Sequence, residues 1–137
     1  MREDEHIEAT LHLQNSDIVF LEMKFAIFYL VDKKVILVEA RKQAFINRML
    51  VKHYLNLWER LISENYSLVD NRKNDFTYDA DEIFEEFNSR ERLKKIAIVV
   101  QQNQPEDLCE REQRLCKKDF AVFADVDKAI RWAKENL

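Results

Sequence analysis

Residues 18–40 read IVFLEMKFAIFYLVDKKVILVEA. Val, Ile, Leu, Phe and Tyr dominate the run, and such side chains fit a pleated, half-buried surface. Its sharpest polar break, Asp32–Lys34, is made of poor strand residues that suit a turn. The pattern predicts two or three strands. Strands joined by so short a connection run antiparallel.

Outward from this hairpin the period changes. From about Lys42 to Ser63, Ile46, Leu50, Leu57 and Leu61 fall on one helical stripe; His53 completes its spacing, and Tyr54 and Trp58 widen it. YSLVD (66–70) then reads as a short strand. Asp79 with Glu82 resembles a capping box, ahead of a helix whose Ile83, Phe84 and Phe87 face inward. KKIAIVVQQ (94–102) has the continuous apolar centre of a strand covered on both faces. Pro105 suits the first turn of a third helix reaching about Lys117. DFAVFA (119–124) is a further strand, and Asp125 caps a last helix with Val126, Ala129, Ile130, Ala133 and Leu137 on one stripe. The order β-β-α-β-α-β-α-β-α predicts one mixed α/β domain over residues 17–137: an opening antiparallel hairpin, then parallel strands joined by right-handed crossover helices. Residues 1–16 are expected to be an edge strand or a loose arm.

Composition narrows the functions. The 137 residues include 47% hydrophobic and 35% charged side chains, the balance of a globular chain. A formal charge of −4 supplies no driving force toward phosphate backbones or anionic lipid, so no nucleic-acid partner is expected. No apolar run approaches the ~20 residues of a membrane span, so no membrane insertion is expected. The opening MREDEHIEATLHL has acids where a signal peptide carries basic residues, and two cysteines fit a reducing compartment; a cytoplasmic location is expected. The sequence contains no glycine at all. Glycine supplies positive φ and close backbone approach to ligands, so P-loop, GxGxxG and GxSxG chemistries are excluded.

The leading hairpin, the long helix and three motifs together resemble the STAS-like superfamily. The motifs are Leu68–Arg72, Ile96–Val100 and the F-x-D-x-x-x-A-x-x-W pattern of Phe123, Asp125, Ala129 and Trp132. The likeness spans roughly residues 18–137 and is closest to the branch that resembles sporulation stage II anti-sigma-factor antagonists, grouped with STAS and CRAL-TRIO (lipid-carrier) domains. The resemblance implies a bacterial, non-enzymatic regulatory or protein-binding module without cofactor; homodimerisation through an exposed sheet edge or the opening strands is a separate expectation. In antagonists of this kind, the loop after the equivalent strand carries a serine phosphorylated by a partner kinase, in an Asp-Ser-Ser-Gly context. Asp70 matches the Asp, whereas Asn71 and Arg72 stand where the serines would be. The nearest downstream hydroxyls are Thr77 and Tyr78.

Two candidate sites follow. Asp70, Asn71, Arg72, Thr77 and Tyr78 would form a partner- or ligand-binding surface just beyond a strand's carboxyl end, where open α/β sheets bind ligands. The plainer alternative makes Asp70 and Asn71 loop anchors that satisfy backbone amides, with Arg72 paired to a neighbouring acid. The lipid-carrier side of the superfamily implies instead an apolar pocket, lined by Phe45, Met49, His53, Phe84 and Phe87, for an apolar small molecule. A histidine on an apolar stripe is otherwise a hydrogen-bonded core residue. No metal site is expected: His6 and His12 lack thiol or acidic companions, and Cys109 and Cys116, seven apart on one helix, suit burial as small apolar residues. Glu82, Glu85 and Glu86 are expected to be acidic surface at the start of their helix. A small enzyme is the remaining alternative, and no nucleophile–base pair is visible for it.

Overall fold

The computed structural model describes residues 18–101 and 109–137. The expected N-terminal arm (1–16) and the helix start at Pro105 lie outside the described residues.

The opening segment forms three antiparallel strands: β1 (Ile18–Glu22), β2 (Ala26–Val31) and β3 (Val35–Ala40). The β2–β3 turn places Asp32 and Lys33 in the left-handed region, with φ of 52° and 61°. Lys34 N–H closes the turn on the Val31 carbonyl at 3.2 Å. Two consecutive positive φ values inside this turn match the twist of hairpin strands, a role usually given to Asn-Gly; a chain without glycine builds it from Asp and Lys.

After β3 the chain makes a two-residue strand, β4 (Phe45–Ile46), and only then α1 (Arg48–Leu61). Asn47 is the N-cap, its side chain accepting from Leu50 N–H at 2.9 Å. The helix therefore starts later than the periodicity from Lys42 predicts, and its inward face is turned. Val51, Tyr54, Leu55 and Trp58 are buried, whereas Leu61 is exposed and His53 lies on the solvent side. Two apolar stripes compete on this helix, and the one carrying the larger rings enters the core.

Strands β5 (Tyr66–Asn71), β7 (Leu93–Val99) and β8 (Asp119–Phe123) extend the sheet in parallel, giving the order β1-β2-β3-β5-β7-β8. Between them lie β6 (Thr77–Tyr78), which pairs with β4 in a small parallel ribbon, α2 (Ala80–Asn88) and α3 (Glu110–Leu115); α4 (Val126–Lys134) closes the chain. The mixed α/β domain has the expected order. Asp79 caps α2 by accepting from Glu82 N–H, and Asp125 caps α4 by accepting from Asp127 N–H at 2.8 Å.

The parallel strands advance in one direction across the sheet, so right-handed crossovers put α1, α2 and α3 on the same face. Phe28, Ile36, Leu68 and Ile96 meet Tyr54, Leu55, Trp58, Phe84 and Phe87 there. The opposite face carries Tyr29, Leu37, Val69 and Ala97 against Ala129, Ile130 and Ala133 of α4. Strand β7 is thus covered on both sides, as its uninterrupted apolar centre predicts. The C-terminal carbonyls of α4 are satisfied from the sheet beneath: Ser67 Oγ donates to Ala133 O at 2.7 Å and Lys95 Nζ to Trp132 O at 2.9 Å. Among the described residues no helix is long and apolar enough to cross a membrane.

Candidate ligand site at the carboxyl end of β5

Strand β5 runs through Asn71, so Asp70, Asn71 and Arg72 do not form one loop surface. The pleat sends alternate side chains to opposite faces. Asn71 turns toward the α4 face, where its amide donates to Glu39 Oε2 at 2.8 Å and Lys73 Nζ lies 3.3 Å from the same oxygen. Asp70 and Arg72 turn toward α1–α3. The expectation that Asp70 and Asn71 anchor loop amides is therefore corrected: both are strand residues, and they engage side chains.

Arg72 is buried and fully engaged. Its Nε donates to Asp70 Oδ2 at 3.0 Å, and its two terminal nitrogens form a fork with Glu112 of α3, Nη1 donating to Oε1 at 2.8 Å and Nη2 to Oε2. The rings of Phe76 and Tyr78 lie 5.7 and 5.2 Å from its guanidinium carbon, a stacking geometry that suits a planar cation. Tyr78 also donates its hydroxyl to Glu112 Oε1 at 2.7 Å. Burial alone would lower the Arg72 pKa; Asp70 and Glu112 outweigh it, so the guanidinium stays charged. The side chain is an internal tie between β5, β6 and α3. Thr77, by contrast, is exposed.

Beneath this tie lies a cavity of about 40 Å³ between the sheet and the three helices. Its apolar wall includes Phe25, Val38, Ile83, Phe84, Phe87 and Ile98, and its polar end is formed by Asp70, Arg72, Tyr78 and Glu112. At roughly 10–15 Å³ per water-sized probe, the space holds about three waters and falls well below the ~150 Å³ that accepts benzene. Of the residues expected to line an apolar pocket, Phe84 and Phe87 do so. Phe45, Met49 and His53 do not: Phe45 is 62% and Met49 77% exposed, and His53 lies on the solvent side of α1. Phe45 is displaced because residues 42–47 are not helical, and Met49 and His53 lie on the face of α1 left outside when Val51, Tyr54, Leu55 and Trp58 enter the core.

Two groups in the cavity wall are incompletely satisfied. Asp70, with 17% of its side chain exposed, receives hydrogen bonds only from Arg72 among the described residues. Burial pushes its carboxyl above the ordinary range, and Arg72 offsets that only in part. Tyr54 is 4% exposed, and its hydroxyl has no hydrogen-bond partner among the described residues. Burial, and then the charge of Asp70, raise its pKa.

Glu112 and Glu39 are the residues of importance that sequence reasoning misses, and Tyr54 is read from the sequence only as part of the helix stripe, not as a site residue. Glu39 carried a signal, a lone acid inside VILVEA. Glu112 carried none, because nothing local marks which carboxylate of EREQRL turns inward. Glu86 corrects a further expectation: Glu82 and Glu85 are surface acids, but Glu86 is buried and held by Arg48 and Arg90. Cys109 is buried, Cys116 half-buried, and both are free thiols raised in pKa by burial. They flank the short α3 on either side and do not sit within it. Among the described residues no group of three or more His, Cys, Asp or Glu side chains converges to hold a metal.

Compared with protein-family models, curated proteins and solved structures, the chain matches none.

Proposed function

We propose that the chain is a non-enzymatic, STAS-like binding module that takes a small molecule into the cavity at the carboxyl end of β5. The observation that carries this reading is the cavity itself: an aromatic and aliphatic wall that includes Asp70 and Tyr54, whose polar atoms are not fully hydrogen-bonded among the described residues. Ligand sites combine a largely apolar lining with a few convergent polar groups in this way. Its place at the strand ends of an α/β sheet supports the same reading. The size favours a few heavy atoms over a lipid chain. Ligand-observed NMR with a panel of molecules of about three to five heavy atoms tests it, since such sizes match the space of a few waters. Binding to the wild-type chain that disappears in a folded Ala40→Leu variant, whose added carbons fill the cavity, is the expected result. A folded wild-type chain that binds no member of the panel, or binds equally well after filling, removes the reading.

A second reading, a protein-interaction module, is favoured by the adjacent exposure of Phe45 and Met49 at the β4–α1 junction. The contact surface would then be these two side chains, because Asp70 and Arg72 are turned inward. Sedimentation equilibrium tests the homodimeric form of it. Self-association abolished by Phe45→Ser with Met49→Ser supports this surface; a wild-type chain that stays monomeric removes the homodimer.

A further inference from the structure

The polar end of the cavity has an uneven charge count. Two carboxylates, Asp70 and Glu112, share the single guanidinium of Arg72. The groups that face Asp70 are Arg72 from its own strand, Glu112 and Cys109 from the α3 segment, Tyr78 from β6 and Tyr54 from α1. Among the described residues Arg72 is the only cation of this set. Glu112 is saturated by the Arg72 fork and the Tyr78 hydroxyl, so the unmatched negative charge resides on Asp70, at the cavity wall.

The rings are distributed in the same sense. Phe76 and Tyr78 lie against Arg72, whereas Phe25, Tyr54, Phe84 and Phe87 line the cavity and hold no cation among the described residues. Aromatic faces attract cations, and the attraction strengthens where water is excluded. The Tyr54 hydroxyl, without a hydrogen-bond partner among the described residues, adds an oxygen acceptor from a residue that lines the same space.

From this geometry we propose that the cavity takes a small organic cation, an alkylammonium of about three or four heavy atoms, with its charged head against Asp70 and the Tyr54 hydroxyl and its carbon atoms against the free rings. The inference rests on the small-molecule reading above and names the ligand's charge class. A neutral molecule of the same size would leave the Asp70 charge unmatched, and an anion would oppose it. The ceiling on affinity per heavy atom keeps so small a ligand no tighter than roughly 0.04–0.5 mM.

The test uses the full chain and two probes of equal heavy-atom count, ethylammonium and ethanol, titrated at constant ionic strength near neutral pH by protein-observed NMR. Ethylammonium should saturate at low millimolar concentration and bind at least about tenfold more tightly than ethanol, as a charge-assisted contact in a desolvated site does. Asp70→Asn should remove that preference. Tyr54→Phe, which keeps the ring and deletes the acceptor, should weaken ethylammonium several-fold. Equal binding of the two probes to the wild-type chain, or an undiminished preference in folded Asp70→Asn, overturns the cationic class while leaving a cavity-binding module standing. Absence of binding by both these probes and the wider panel overturns both.

Discussion

Two arginine–carboxylate clusters brace the helical face of this domain, and they are built in opposite proportions. At the α1–α2 seam one buried carboxylate meets two arginines, which also reach the more exposed Glu85 and Glu59: Arg48 Nε donates to Glu86 Oε1 at 3.1 Å, and Arg90 Nη2 lies 2.8 Å from Oε2. At the end of β5 one buried arginine meets two carboxylates. Burial raises the pKa of both Glu86 and Asp70. For Glu86, hydrogen bonds from Arg48 and Arg90 win and the net shift is downward; for Asp70, an arginine shared with Glu112 does not win and the net shift is upward. Ratio, not proximity, decides which carboxylate is at rest. The satisfied cluster lies on a helix seam and the unsatisfied one faces a cavity, which is why the second is the candidate site.

The most damaging way to break the comparison is to remove the shared cation. Arg72→Met leaves Asp70 without a partner among the described residues and Glu112 with only the Tyr78 hydroxyl, and buried charge without a counter-charge of that kind costs about 3–5 kcal/mol. Denaturant unfolding at neutral pH should show that loss, with partial recovery on acidification as the two carboxylates protonate. Arg48→Met is the control. Its side chain is 43% exposed, Arg90 still serves Glu86, and the cost should stay below about 1 kcal/mol. Equal losses in the two variants would mean that the clusters are not different in kind.

How much of this was legible in the residues depends on the range of the interaction. The order of elements along the chain, the Asp32–Lys34 turn and the Asp79 and Asp125 caps are decided within a few residues, and the sequence pattern carries them directly. The phase of α1 was not legible in the same way. Ile46, Tyr54 and Trp58 of the expected stripe are buried, but Leu50, Leu57 and Leu61 give way to Val51 and Leu55, and only packing against Phe28 and its neighbours makes that choice. The site was half legible. Asp70 and Arg72 were singled out by position, but their partner Glu112 stands 40 residues from Arg72, and no local periodicity marks it. Splitting Asn71 from its neighbours required knowing that β5 continues past Asp70.

An intermediate effect is expected at the satisfied carboxylate. Glu86→Gln exchanges charge-assisted hydrogen bonds for neutral ones and should cost about 2 kcal/mol at neutral pH. The pH dependence has a definite sign. A carboxyl depressed in the folded state contributes stability that is present above its unfolded pKa and is lost as pH falls through the folded value. The gap between wild type and Glu86→Gln in urea unfolding should therefore close below about pH 4. A gap unchanged by acid would mean that Glu86 is held by shape and not by its charge.

The smallest effect, and the sharpest, belongs to Asp70→Asn. The Asn oxygen still accepts from Arg72 Nε, the volume is unchanged, and Glu112 still neutralises the guanidinium through its fork. A carboxyl raised in the folded state contributes stability that is fully present below its unfolded pKa and is lost as pH rises through the folded value. The neutral amide does not suffer that loss. Urea unfolding at neutral pH should therefore place Asp70→Asn within about 1 kcal/mol of wild type, on the stabilised side, with the advantage gone below about pH 4 where the wild-type carboxyl is itself protonated. The sign is opposite to that at Glu86, although both substitutions remove one buried carboxylate beside an arginine. Should Asp70→Asn instead lose about 2 kcal/mol or more at neutral pH, the ionised Asp70 would be a full structural partner of Arg72. The unmatched charge facing the cavity, and the contrast between the two clusters, would then both fall.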